Sequence, residues 1–143
     1  LLFFNPSVVE SNPGETPAVD LMMEGFDSGI SGYSLYLTLD NPSVASFGEI
    51  LFPAWVSMNR VVTINSSTVL IQGADLGNQV EPGIPSEKLA TISIHANTAG
   101  YATLHVDPVM IDDDRHGRYD LVSKTASIVI SGAGPSPVIP ASQ

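Results

Sequence analysis

The sequence contains no cysteine. Disulfide staples, thiolate nucleophiles, cysteine-ligated zinc and iron–sulfur clusters are therefore excluded. Positive charge is also scarce: five Lys and Arg stand against fifteen Asp and Glu, a formal net charge of −10. A nucleic-acid duplex or an anionic lipid surface repels such a chain, because binding to either depends on clustered cations. The acidic excess suits a basic partner or divalent cations. No apolar run approaches the roughly 18 residues of a membrane-spanning helix. Leu1-Leu2-Phe3-Phe4 is too short for the core of a complete signal peptide and reads as part of a first strand.

Charged residues of both signs make up only 14% of the chain, whereas hydrophobic residues make up 43%. The second figure fits a folded protein, and 143 residues suffice for one domain with its own core. The first leaves surface polarity to Ser, Thr, Asn, Gly and Pro, a composition common among extracellular β-sandwiches. Catalytic signatures are missing too. There is no Gly-x-Ser-x-Gly elbow, and acids confined mainly to turns do not form the cleft that paired-carboxylate glycoside hydrolysis needs. The reading is a binding domain and not an enzyme. One Trp, four Tyr and five Phe are a thin supply for a row of sugar-stacking rings. Trp55, in Phe52-Pro53-Ala54-Trp55, is expected to be buried or to pack a corner. His95, His105 and His116 read as surface residues, since their spacing does not support a shared metal site. Asn65-Ser66-Ser67 fits a glycosylation sequon, a short pattern that often arises by chance.

What the chain does have is alternation with a period near two. Val19, Leu21 and Met23 form one apolar register, and Tyr33, Leu35, Leu37 and Leu39 form the clearest. Val69 and Ile71, then Ala90, Ile92, Ile94 and Ala96, continue the pattern. Ala102, Leu104 and Val106, and lastly Ala126, Ile128 and Ile130, complete it. Turn-forming residues separate the runs: Asn12-Pro13-Gly14-Glu15, Asp27-Ser28-Gly29, Asp40-Asn41-Pro42-Ser43, Glu81-Pro82-Gly83 and the stretch from Asp112 to Gly117. Short strands at this spacing without intervening helices predict an all-β, two-sheet β-sandwich. About nine strands suit jelly-roll topology better than a seven-stranded immunoglobulin domain. Prolines from Pro135 to Pro140 cannot continue a central strand. Residues 133–143 therefore read as a Gly/Pro/Ser-rich linker beside a folded module over 1–132, as expected of one module in a longer protein.

Several segments in this order resemble a cohesin. Pro13-Gly14-Glu15-Thr16 is followed by a strand, then by Gly29-Ile30-Ser31-Gly32 leading into Tyr33-Ser34-Leu35-Tyr36-Leu37-Thr38-Leu39-Asp40, then by Pro42-Ser43-Val44. Val69-Leu70-Ile71-Gln72-Gly73-Ala74-Asp75, Leu89-Ala90-Thr91-Ile92-Ser93-Ile94, Gly100-Tyr101-Ala102-Thr103-Leu104 and Ile111-Asp112-Asp113-Asp114 follow in the family's order. The resemblance spans about residues 8 to 131.

It implies a nine-stranded jelly roll that binds a dockerin through one flat sheet face, with the calcium held by the dockerin and no cofactor in the cohesin. Carried over by position, the partner-binding residues are Ser34, Tyr36 and Thr38, then Leu70, Gln72, Ala74 and Asp75, then Tyr101, Thr103 and His105. Tyr36 and Leu70 fall on the polar register of their strands, so they are expected at the centre of the face, with Ser34, Gln72, Asp75 and Tyr101 around them. Where well-studied cohesins carry an Asn and an Asp that hydrogen-bond the dockerin, this chain has Gly32 and Ser34. The implied role is extracellular assembly or attachment of a dockerin-bearing protein to a cell surface. A carbohydrate-binding module and a structural surface or adhesion domain share the architecture and are the alternative readings.

The densest acidic cluster is Asp112-Asp113-Asp114-Arg115-His116-Gly117-Arg118-Tyr119-Asp120. Carboxylates beside a glycine suit calcium, but the twelfth position counted from Asp112 is Ser123, not the Glu of an EF-hand. Arg115 and Arg118 also offset the charge. The segment reads as a solvated loop, with a weak calcium site at Asp112, Asp113 and Asp114 as the alternative.

Overall fold

Alternating apolar and polar residues are satisfied by a sheet with one face covered and the other wet. The six apolar registers do turn to one interior: all of Val19 to Met23, Tyr33 to Leu39, Val69 and Ile71, Ala90 to Ala96, Ala102 to Val106 and Ala126 to Ile130, taken at their alternate positions, are buried. The computed structural model describes residues 1–25, 29–75, 86–113, 117–119 and 122–131. The segment read as a linker, 133–143, lies outside the described residues.

Among the described residues there are ten strands and no helix. They are β1 (Leu2–Asn5), β2 (Val8–Ser11), β3 (Ala18–Glu24), β4 (Gly32–Leu39) and β5 (Ala45–Leu51). After these come β6 (Met58–Thr63), β7 (Thr68–Ala74), β8 (Ser86–Ala96), β9 (Gly100–Asp112) and β10 (Ala126–Ile130). One sheet has the order β1-β3-β8-β5 and the other β2-β10-β9-β4-β7-β6. Every pairing is antiparallel except β2 with β10. The sandwich expected from sequence is present. The first segment contributes two strands, because Pro6 interrupts it and the chain passes from one sheet to the other.

Among three shifts of register, two bulges shape the part of the sandwich around β4. Leu21 pairs with Ala90 but Met22 pairs with Lys88, so Leu89 is the extra residue of β8. This explains why Leu89 and Ala90 are both buried although they are neighbours in one strand. Across the interior, the buried Tyr33 hydroxyl of β4 donates to the Leu89 carbonyl at 2.7 Å. Trp55 is buried too, and its indole N–H donates to the adjacent Lys88 carbonyl at 2.8 Å. The two rings meet edge-on, with centroids 6.2 Å apart. Gly73 makes room for them: a Cβ there would lie 2.7 Å from Val56 Cγ1 and 2.8 Å from the Tyr33 ring. In the second bulge, Leu35 pairs with Pro108 and Ser34 with Met110. The proline, which lacks an N–H, is thus accommodated where the β4–β9 ladder is already interrupted.

The Tyr33 latch carries a stability prediction. Tyr33→Phe leaves the Leu89 carbonyl without its donor and is expected to cost about 1–2 kcal/mol in chemical denaturation at neutral pH. Burial pushes the Tyr33 phenol above its ordinary value. The folded chain therefore holds this proton after the unfolded chain has released it near about pH 10. The wild-type advantage is expected to be constant below that range and to shrink as the pH rises beyond it. Equal stability of the two chains at pH 7 would contradict the latch.

Candidate functional site

Because β4 turns Tyr33, Leu35, Leu37 and Leu39 inward, its other residues form the outer surface of the six-stranded sheet. Side chains directly opposite each other in paired strands share a face, so the register builds this surface outward from β4. Tyr36 lies between Leu70 of β7 and Asp107 of β9. Ser34 lies between Gln72 and Met110, and Thr38 between Thr68 and His105. One strand further out, β6 sets Met58 beside Ala74, Arg60 beside Gln72 and Val62 beside Leu70. On the other side, β10 sets Ser127 beside Thr103 and Val129 beside Tyr101.

The centre is flat and pre-tied. Ser34 is buried and its hydroxyl accepts from Gln72 Nε2 at 3.3 Å. The Thr38 and Thr68 hydroxyls are 3.4 Å apart. Tyr36 rises from this surface at 37% exposure, with Leu70 and Val62 half-buried beside it. Tyr101, at 76%, stands at one end of the face, and Met58, at 60%, at the other. The β4–β5 corner is pinned to β9: the Thr103 N–H donates to Asp40 Oδ1 at 2.8 Å, and Asn41 Nδ2 donates to the Tyr101 carbonyl at 3.1 Å. Asp40 also lies 3.8 Å from His105 Nε2.

Of the residues carried over from sequence, Ser34, Tyr36, Thr38, Leu70, Gln72, Ala74, Tyr101, Thr103 and His105 share this one face. Asp75 does not join them. It follows Ala74 with the opposite parity, is 8% exposed, and its backbone N–H donates to the Ser31 carbonyl at 2.9 Å. Sequence reasoning missed Met58, Arg60, Val62, Asp107 and Met110. Met58 to Thr63 lacks a clean alternation, and Pro108 hid the continuation of β9 toward Asp112.

The other histidines and the tryptophan lie elsewhere. His95 is exposed on β8 in the four-stranded sheet, 3.4 Å from the Thr16 hydroxyl, and so is on the opposite side of the sandwich from His105. His116 lies outside the described residues. Trp55 is spent in the interior and is not presented to a sugar. Glu15 closes the turn between β2 and β3: the Asn12 N–H and the Ser11 hydroxyl donate to it, at 2.8 and 2.9 Å, and hold its carboxyl below the usual range.

The acidic loop is braced by its own side chains. Asp113 Oδ1 accepts the Gly117 N–H at 2.6 Å, and Asp112 Oδ1 accepts Arg118 Nε at 2.9 Å. The Ser31 hydroxyl donates to the Asp112 and Asp113 carbonyls at 3.2 and 2.9 Å. Asp114 lies outside the described residues. Among the described residues no group of three or more His, Asp or Glu is placed to hold a metal ion. With Asp113 holding the Gly117 N–H and Asp112 holding Arg118, adding calcium is expected to leave the melting temperature unchanged in calorimetry, and a saturable upward shift would contradict this account of the loop.

No protein-family model matches the sequence, and no curated protein does. Solved structures match over nearly the whole chain. The sixth cohesin of scaffoldin B from Acetivibrio cellulolyticus, solved with a dockerin, is 14% identical with a TM-score of 0.75, over 91% of this chain and 97% of that one. A type I cohesin–dockerin complex from Clostridium thermocellum matches at 14% identity and TM-score 0.74, over 91% and 92%. The non-cellulosomal cohesin of the archaeon Archaeoglobus fulgidus matches at 13% identity and TM-score 0.73, over 90% and 88%. The chain thus has the cohesin fold. No helix among the described residues is long and apolar enough to cross a membrane.

Proposed function

We propose that this chain is a non-catalytic module that binds a dockerin-bearing protein through the outer face of its six-stranded sheet, for extracellular assembly or cell-surface attachment. The observation that carries the reading is the exposed Tyr36 at the centre of a flat, hydrogen-bonded sheet, flanked by Leu70 and Val62, within a cohesin fold. Aromatic anchors surrounded by near-neutral contacts are the usual energetic centres of interfaces. The strands hold this surface rigid before binding, so little conformational entropy remains to be lost. Similar structures were solved with dockerins bound, which supports the same class of partner here. The acidic net charge of −10 favours a partner with a basic surface and accelerates its encounter. Calcium belongs to the dockerin, and residues 133–143 act as a tether to neighbouring modules.

Calorimetric titration with calcium-loaded dockerins from the same genome tests the reading. One-to-one saturable binding is expected, with loss in EDTA, and Tyr36→Ala is expected to weaken it at least about tenfold, or about 1.4 kcal/mol. Failure of every such dockerin to bind would overturn the proposal.

A further inference from the structure

The outer face is not flat along its whole length. At the end marked by Met58 a hollow of about 340 Å³ opens between four strands. Gly32 of β4 has no side chain to fill it, and Ala74 of β7 fills it only slightly. Met58 of β6 and Met110 of β9 flank it with flexible, polarisable thioethers, and Arg60 and Gln72 edge the side toward Tyr36. Thioether walls adapt to varied apolar shapes, as at other adaptable binding surfaces. The 60% exposure of Met58 leaves this apolar surface to water in the free chain.

Arg60 supplies the second observation. It is exposed, and among the described residues the ion pairs are Lys88–Asp20, His105–Asp40 and Arg118–Asp112, none of which uses it. A cation is thus held free beside an apolar hollow in a chain with a net charge of −10. Met58 and Arg60 are alternate residues of one strand, so their Cβ atoms are about 7 Å apart on the same side. The dockerin bound in one similar structure has a C-terminal helix, and residues three or four apart on a helix surface are separated by roughly 5–6 Å. One helical turn therefore matches the spacing from Met58, at the hollow, to Arg60, at its edge.

The geometry points to a specificity pocket: the Gly32–Ala74 hollow takes one large apolar side chain of a partner helix, while Arg60 pairs with an acidic side chain one turn away on that helix. This rests on the proposed dockerin-binding face and is continuous with it, and it names the residue pair by which this chain selects among dockerins.

The test uses the dockerin that binds the wild-type chain most tightly in calorimetry. Ala74→Leu fills the hollow from the outer face, and it is expected to weaken binding at least tenfold. Arg60→Glu, at an exposed position, is expected to weaken binding comparably. Replacing the facing acidic residue of the dockerin helix by Lys is expected to restore the affinity of Arg60→Glu and to lower that of the wild type. Thermal melts show whether Ala74→Leu still folds, and the Arg60 charge exchange decides the matter if it does not. Wild-type affinity in both variants, with Tyr36→Ala still weakened, would overturn the pocket and leave the face intact. Absence of any wild-type dockerin binding would overturn the face and the pocket together.

Discussion

A hydrogen bond across the interior from Tyr33 to Leu89 ties the two sheets together at a bulge, and Trp55 on the β5–β6 connection donates to the neighbouring Lys88 carbonyl. Consecutive carbonyls that an interrupted ladder would leave buried and unpaired are met by donors from opposite elements, one on β4 and one on the β5–β6 connection. Unpaired, each would cost about 1–3 kcal/mol. The consequence reaches beyond stability. With Tyr33 fixed inward, every second residue of β4 is fixed outward, and a slip of one position would bury Tyr36 and expose Leu35 and Leu37. Gly73 belongs to the same constraint, because only a residue without a side chain leaves space for the Tyr33 ring.

From that fixed register the outer face follows strand by strand. Its centre carries few charges and its polar groups bond to one another, as Ser34 does to Gln72 and Thr38 to Thr68. A partner docking as proposed would meet Tyr36 and Leu70 with few polar groups to strip of water besides Asp107. Charge stands toward the ends with Arg60 at one and Asp40 and His105 at the other, while Asp107 lies directly beside Tyr36. The outlying charges would orient a partner, and Asp107 would need a pairing group on that partner, because an isolated buried ion is costly. The opposite sheet, with His95 on its surface, plays no part in this surface.

The inward registers of β3, β4, β7, β8, β9 and β10 were legible because each of those strands packs one side against the core, and burial on one side is what produces alternation. The edge strand β6 packs poorly on either side, as the exposure of Val61 and Met58 shows, so it carries no clear period. β5 loses its period where its register with β8 shifts between Phe47 and Ile50. The same division applies to the face. Tyr36, Leu70 and Thr103 were carried over from the cohesin resemblance, and the parity of Tyr36 and Leu70, as outward neighbours of buried residues, agreed with it. Met58, Arg60 and Met110 join them only through strand pairing between distant segments, which no local pattern records, whereas Asp107 continues the outward parity of Tyr101, Thr103 and His105. Asp75 was placed with this group as an acid adjoining Ala74, yet its parity already turns it the other way.

The proposed binding uses one face of one sheet. The most direct measurement is hydrogen–deuterium exchange, followed by mass spectrometry, of the chain with and without a calcium-loaded dockerin. The account predicts added protection in peptides from β4, β6, β7 and β9, with β3, β5 and β8 of the opposite sheet unchanged. Protection confined to the four-stranded sheet, or spread evenly over both sheets, would contradict it.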